Sequence, residues 1–135
     1  MNIKQGQQTS QSLTVTAEKV AACGEVTGDF NPLHFDEEFT SKTRFGRLMA
    51  QGGIAVGLIH ALVAMDMPGP GTVVIRQEWQ STAPVYIDDT ITAEATVVEV
   101  MPEKSRARIN FTVTTQEGIE VLNGKTYVYQ ATPSD

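Results

Sequence analysis

The chain has 135 residues, 41% of them hydrophobic and 19% charged, with a formal net charge of −6; this fits one globular domain with a real core and argues against a charge-rich disordered chain. Ten Lys and Arg against 16 Asp and Glu argue against a general nucleic-acid binder, because phosphate attraction needs a basic surplus. One cysteine, Cys23, and two histidines, His34 and His60, exclude an intrachain disulfide and leave too few ligands for the usual zinc sites, so no metal is expected.

The first eleven residues, MNIKQGQQTSQ, are polar and unpatterned and read as a flexible tail, while SLTVT, Ser12 to Thr16, alternates like an opening strand. Thr16 is placed to cap a short helix through AEKVAACGEVTG, in which Val20, Cys23 and Val26 recur at near-helical spacing and Gly28 stops the run. Cys23 reads there as a small buried apolar residue.

Next comes TGDFNPLHFDEEF, Thr27 to Phe39. Pro32 fixes its own φ and pushes Asn31 toward extended backbone, so the stretch is a shaped loop and not a continuing helix. Asp29 and His34 then allow two readings. One is local turn chemistry, with Asp29 and Asn31 bonding nearby backbone and His34 bonding a carbonyl. The other is a carboxylate and an imidazole aimed at one water or one substrate proton. DEEFTSK reads as an exposed helical turn with an acidic start. Lys42, Arg44 and Arg47 follow as a small basic cluster, either a solvated surface or a grip for phosphates.

The segment FGRLMAQGGIAVGLIHALVAMDMPGPG predicts a helix from about Ala50 to Met65, closed by Pro68, Gly69, Pro70 and Gly71. His60 and the glycines break its apolar run, and no signal pattern opens the chain, so no membrane span is predicted and the expected location is the cytoplasm. A helix apolar around nearly its whole circumference must be wrapped by other elements. Gly52 and Gly53 fall in its first turn, where unpaired amides point outward; they serve either close packing or the binding of a developing oxyanion. His60 shares their face and reads as a hydrogen-bonded core residue.

Four runs rich in Val, Ile, Thr and aromatics supply the wrapper: Thr72 to Gln80, Thr90 to Val100, Ser105 to Thr115 and Glu120 to Ala131. Short turn signals, APVYIDD, MPEK and QEG, separate them. In the third run Ala107, Ile109, Phe111 and Val113 face one way and Arg106, Arg108, Asn110 and Thr112 the other, so one face is dry. Trp79 and Tyr86 read as core or interface residues. The expected fold class is α+β, one antiparallel sheet curled around the long helix; a flatter sheet covered by two helices fits the same pattern.

On these residues the chain resembles the MaoC-like dehydratases, the (R)-specific enoyl-CoA hydratase group of the hotdog superfamily. Gly28, Asp29, Asn31, Pro32 and His34 match the pattern G-D-x-N-P-x-H in order and spacing, and FGRLMAQGGIAVGLIHALV, PGPGTVV and APVYIDDTITAEATV are similar to the family's central helix, turn and following strands. The resemblance implies a hotdog fold, a homodimer or higher homo-oligomer, an acyl-CoA substrate, and no cofactor, nucleic acid or membrane partner. It implies that Asp29 and His34 are the catalytic pair, that Asn31 and Pro32 shape their loop, and that the Gly52 amide, with Gly53 beside it, receives the oxyanion. It adds CoA phosphate contacts at Lys42, Arg44 and Arg47. The implied reaction is reversible addition of water to a trans-2-enoyl thioester, giving an (R)-3-hydroxyacyl thioester. Gln51 stands where many relatives carry His, and His60 where some carry a small polar residue. The alternatives are a 3-hydroxyacyl-carrier-protein dehydratase, a thioesterase, which the motif disfavours, and a non-catalytic acyl-CoA binding module.

Overall fold

The structure, a computed structural model, describes residues 1–133. Its elements are β1 (Gln8–Thr14), α1 (Ala17–Thr27), α2 (Pro32–Phe35), α3 (Glu37–Ser41), α4 (Gly52–Met65), β2 (Thr72–Ser81), β3 (Thr90–Met101), β4 (Arg106–Thr115) and β5 (Glu120–Gln130). The strands form one sheet in the order β1-β3-β4-β5-β2, with every neighbouring pair antiparallel.

Alternation decides which face is dry. Ile91, Ala93, Ala95 and Val97 of β3 lie beside Val113, Phe111 and Ile109 of β4 in register, and all are buried. Helix α4 lays Ala55, Leu58, Ile59, Leu62 and Val63 into the same core, burial that contributes about 1.5–3 kcal/mol for each large side chain. Small residues at Ala93, Ala95 and Ala107 let the helix come close to the sheet. Helix α1 starts and stops on its sequence signals: the Thr16 side chain accepts from Lys19 N, and Gly28 closes the helix in the left-handed region at φ 80°.

The flexible tail expected over residues 1–11 is replaced by ordered chain. β1 begins at Gln8, Gly6 N donates to Val97 O at 2.8 Å, and Met1 and Ile3 pack against the core. The strand is hard to see in sequence because its outward side chains are polar and bond across to β3: Gln8 to Thr96, Ser12 to Thr92 and Thr14 to Thr90.

Wrapping of α4 is one-sided. Gly52, Gly53, Gly57 and His60 are exposed along one strip, so His60 is not the core residue expected; its Nε2 lies 3.2 Å from Gln77 Oε1 on β2. Glycines read as apolar in the sequence, but they carry almost no surface that needs hiding. Beside this strip, edge strand β2 exposes Val73, Ile75 and Trp79. On the same strand Arg76, bonded to Glu78, holds that exposed carboxyl below its usual range, with Lys125 assisting. Cys23 is half-buried and Val26 is 86% exposed, so neither is the core residue that helical spacing suggested. Among the described residues no helix is long and apolar enough to cross a membrane.

Because Ile3 packs on the core, Ile3→Ala should lower the unfolding free energy by about 1 kcal/mol in urea titration. A freely moving tail would give no change.

Candidate active site

The loop after α1 is built by its own side chains. Asp29 N donates to Thr27 Oγ1 at 3.1 Å, Asn31 N to Asp29 Oδ1 at 3.4 Å, and Leu33 N to Asn31 Oδ1 at 3.1 Å. Asn31 thereby caps α2, whose first turn carries Pro32. Turn chemistry and the pairing of Asp29 with His34 therefore coexist: the turns aim the pair.

One turn of helix swings His34 inward, where it is 6% exposed. Its Nδ1 lies 2.7 Å from Met49 O. A carbonyl only accepts, so Nδ1 carries the hydrogen and the neutral ring leaves Nε2 with a bare lone pair. Nε2 faces Asp29 Oδ1 across 3.6 Å, too long for a hydrogen bond, and the Asp29 side chain is about half exposed. Two acceptors facing one gap call for a donor between them, and a water has two O–H groups to offer.

The other wall is the start of α4. The preceding chain is pinned on both sides: Met49 N donates to Leu33 O at 3.1 Å, Ala50 N to Val85 O at 2.7 Å, and Ile87 N to Leu48 O at 3.3 Å. Gln51 occupies the N-cap without a side-chain cap bond; its Nε2 donates instead to Val20 O at 2.9 Å and to Asp29 O at 3.4 Å. Gly52 and Gly53 follow, their amides in the first turn where the helix offers no carbonyl. A Cβ at either glycine would meet nothing within 4 Å, so close packing inside this chain does not require glycine there.

His34, Gln51, Gly52 and Ala55 line an apolar cavity of about 200 Å³ whose far wall includes Ile91 and Leu122. A larger, shallow groove of about 580 Å³ lies on the outer face of the sheet around Glu78, Asn110 and Lys125. It contains neither member of the pair, whereas the smaller, more enclosed cavity is lined by His34.

Each of the basic residues has its own local partner. Lys42 pairs with Glu38 at 3.4 Å on the surface, Arg44 lies over Phe45, and Arg47 stacks 3.9 Å from the Tyr86 ring centroid. Tyr86 in turn donates its hydroxyl to Phe45 O at 3.1 Å, which makes it a mount for Arg47 that the sequence did not suggest. Sequence reasoning also missed Met49, whose contribution is a main-chain oxygen that any residue supplies. Among the described residues no group of three or more His, Cys, Asp or Glu stands ready to hold a metal ion.

Comparison with known proteins gives this arrangement a family. Residues 1–120 match the family described as the MaoC like domain, and the chain belongs to it. It is 38% identical over 114 residues to a 3-hydroxybutyryl-CoA dehydratase of Methylorubrum extorquens, covering 84% of this chain and 72% of that protein. It is 33% identical to an (R)-specific enoyl-CoA hydratase of Rhodospirillum rubrum, covering 94% and 88%. The solved (R)-hydratase from A. caviae superposes with a TM-score of 0.92 at 30% identity, covering 96% of this chain and 98% of that one. The sheet on its long helix is thus the hotdog fold, of class α+β, that the resemblance implied.

The contact with Met49 O fixes which nitrogen of His34 carries hydrogen. Nitrogen NMR of the neutral ring should show the Nδ1–H form; the Nε2–H form would remove Nε2 as an acceptor facing Asp29.

Proposed function

We propose that the chain is a hydro-lyase, an (R)-specific enoyl-CoA hydratase that adds water reversibly to a trans-2-enoyl-CoA to give the (R)-3-hydroxyacyl-CoA. One observation carries the reading: Asp29 Oδ1 and His34 Nε2 face one gap, 3.6 Å apart, beside a cavity that His34 and the first residue of α4 both line.

In hydration, a water donates one O–H to Asp29 and the other to His34, leaving its oxygen lone pair for C3 of the substrate. One member of the pair takes a proton as the new C–O bond forms. The C2–C3 π electrons move through C2 to the thioester oxygen, where the Gly52 amide and the positive end of α4 stabilise the charge. A proton delivered to C2 from the pair collapses the enolate, so hydroxide and proton have been added across the double bond and the pair is restored. Dehydration is the same path reversed. Water and thioester supply every reacting atom, so the reaction calls for no cofactor. Asn31 and Pro32 hold the loop in the shape that presents the pair, Gly53 keeps the helix entrance open, and Arg47, Arg44 and Lys42 supply contacts for the CoA phosphates.

The open strip of α4 and the exposed apolar side chains of β2 support a homodimer or higher homo-oligomer.

The test follows the ultraviolet absorbance of the conjugated enoyl thioester in crotonyl-CoA. Absorbance should fall without release of free thiol, and Asp29→Asn and His34→Ala should each slow turnover by at least about 100-fold with melting temperatures near wild type; near-normal rates in both would remove the pair from the mechanism. Thiol release would indicate a thioesterase, and turnover only with the carrier-protein thioester would indicate the carrier-protein dehydratase. Gly52→Pro removes the oxyanion donor at a position where helices accept proline, and Gln51 is already extended at ψ 138°, as a residue before proline must be. The variant should fold and be inactive; full activity would exclude that amide.

A further inference from the structure

Gln51 takes no part in the chemistry above, yet it is only 3% exposed, rare for a glutamine. Its Oε1 is buried with no hydrogen-bond partner, which costs free energy, and its side chain makes no cap bond to the amides of α4. Both outcomes follow from where the amide nitrogen goes. Nε2 donates to Val20 O of α1 at 2.9 Å and to Asp29 O of the loop at 3.4 Å, so one side chain ties α1, the loop and the entrance of α4 together. The other hydrogen bonds of Asp29 are local, to Thr27 and Asn31. The next residue after Gln51 is Gly52, whose amide is the assigned oxyanion donor.

We propose that Gln51 is a positioning residue: its side-chain N–H groups hold the main chain of Asp29 at a fixed spacing from the Gly52 amide, so that proton transfer and oxyanion binding act on one substrate at once. This rests on the functional reading above. The Val20 bond, the shorter of the two, anchors the amide group, and the longer one restrains the loop. A carboxamide does not titrate, so the restraint itself is independent of pH.

Two variants test it. Gln51→Met keeps the length and removes both donors; kcat should fall about ten- to 100-fold, the scale on which small misplacement of a reacting group acts, with KM little changed. Gln51→Glu keeps the shape, but its ionised carboxylate has no hydrogen to offer two carbonyls. Its kcat relative to wild type should be low at neutral pH and rise as pH falls into the carboxyl range, where one O–H donor returns. A spacer without a positioning role would show lowered thermal stability and unchanged kcat for each folded molecule. Gln51→Met with kcat within about twofold of wild type overturns the proposal; should that variant not fold, a flat relative pH profile for Gln51→Glu overturns it equally. Wild-type protein that hydrates no enoyl thioester would instead sink the functional reading, whereas an inactive Asp29→Asn beside a fully active Gln51→Met sinks the role of Gln51 alone.

Discussion

Everything in the site hangs on four residues of extended chain, Leu48 to Gln51. They belong to no strand of the sheet, so their main-chain groups find partners in helix α2 on one side and in the loop before β3 on the other. Leu33 and His34 are bound through Met49, and Val85 and Ile87 through Ala50 and Leu48. Backbone polar groups taken from water must be paired, and here the pairing does positional work. The carbonyl oxygen of Met49 also selects the tautomer of His34, so the local accounting of hydrogen bonds and the state of the ring are one fact.

The second determinant is the asymmetry of α4. One side is packed with Leu58, Ile59, Leu62 and Val63 against a face of small and β-branched residues. The other carries glycines and His60 in the open. The sheet rigidly locates the first turn of the helix, and the glycines keep side chains away from it. The packed helix thus brings Gly52 of its first turn to the cavity that His34 also lines.

Much of this was legible in the sequence, for reasons that can be named. β2 to β5 were visible because β-branched residues alternate cleanly with polar ones and short turns separate them; α1 was visible because Thr16 and Gly28 mark its ends. Pro32 showed that the loop is shaped, but the pairing of Asp29 with His34 stayed one of two readings until the resemblance of the motif favoured it. Only the end of β1 was visible, in the alternation from Ser12; its first residues were hidden because the outward side chains are polar and pair with β3 but look like a solvated tail. The open strip on α4 was hidden because glycine counts as apolar on a hydropathy scale. Each of the three basic residues has a local partner, Glu38 for Lys42, Phe45 for Arg44 and Tyr86 for Arg47, which the sequence did not suggest. Met49 left no signal at all, since a carbonyl oxygen is common to every residue.

The strand order also dictates when the protein can come into being. Gln8 waits for Thr96 and Thr72 waits for Gln130, so during synthesis the first two strands emerge long before their neighbours exist. Helix α4 likewise leaves the ribosome ahead of four of the five strands, exposing its apolar side meanwhile. The pairings β3 with β4 and β4 with β5 join adjacent strands through short turns and cost the least closure entropy. The sheet therefore grows outward from its last three strands, with the early ones added as its two edges. A nascent chain released before β5 would hold the whole catalytic loop and no completed surface on which to seat it.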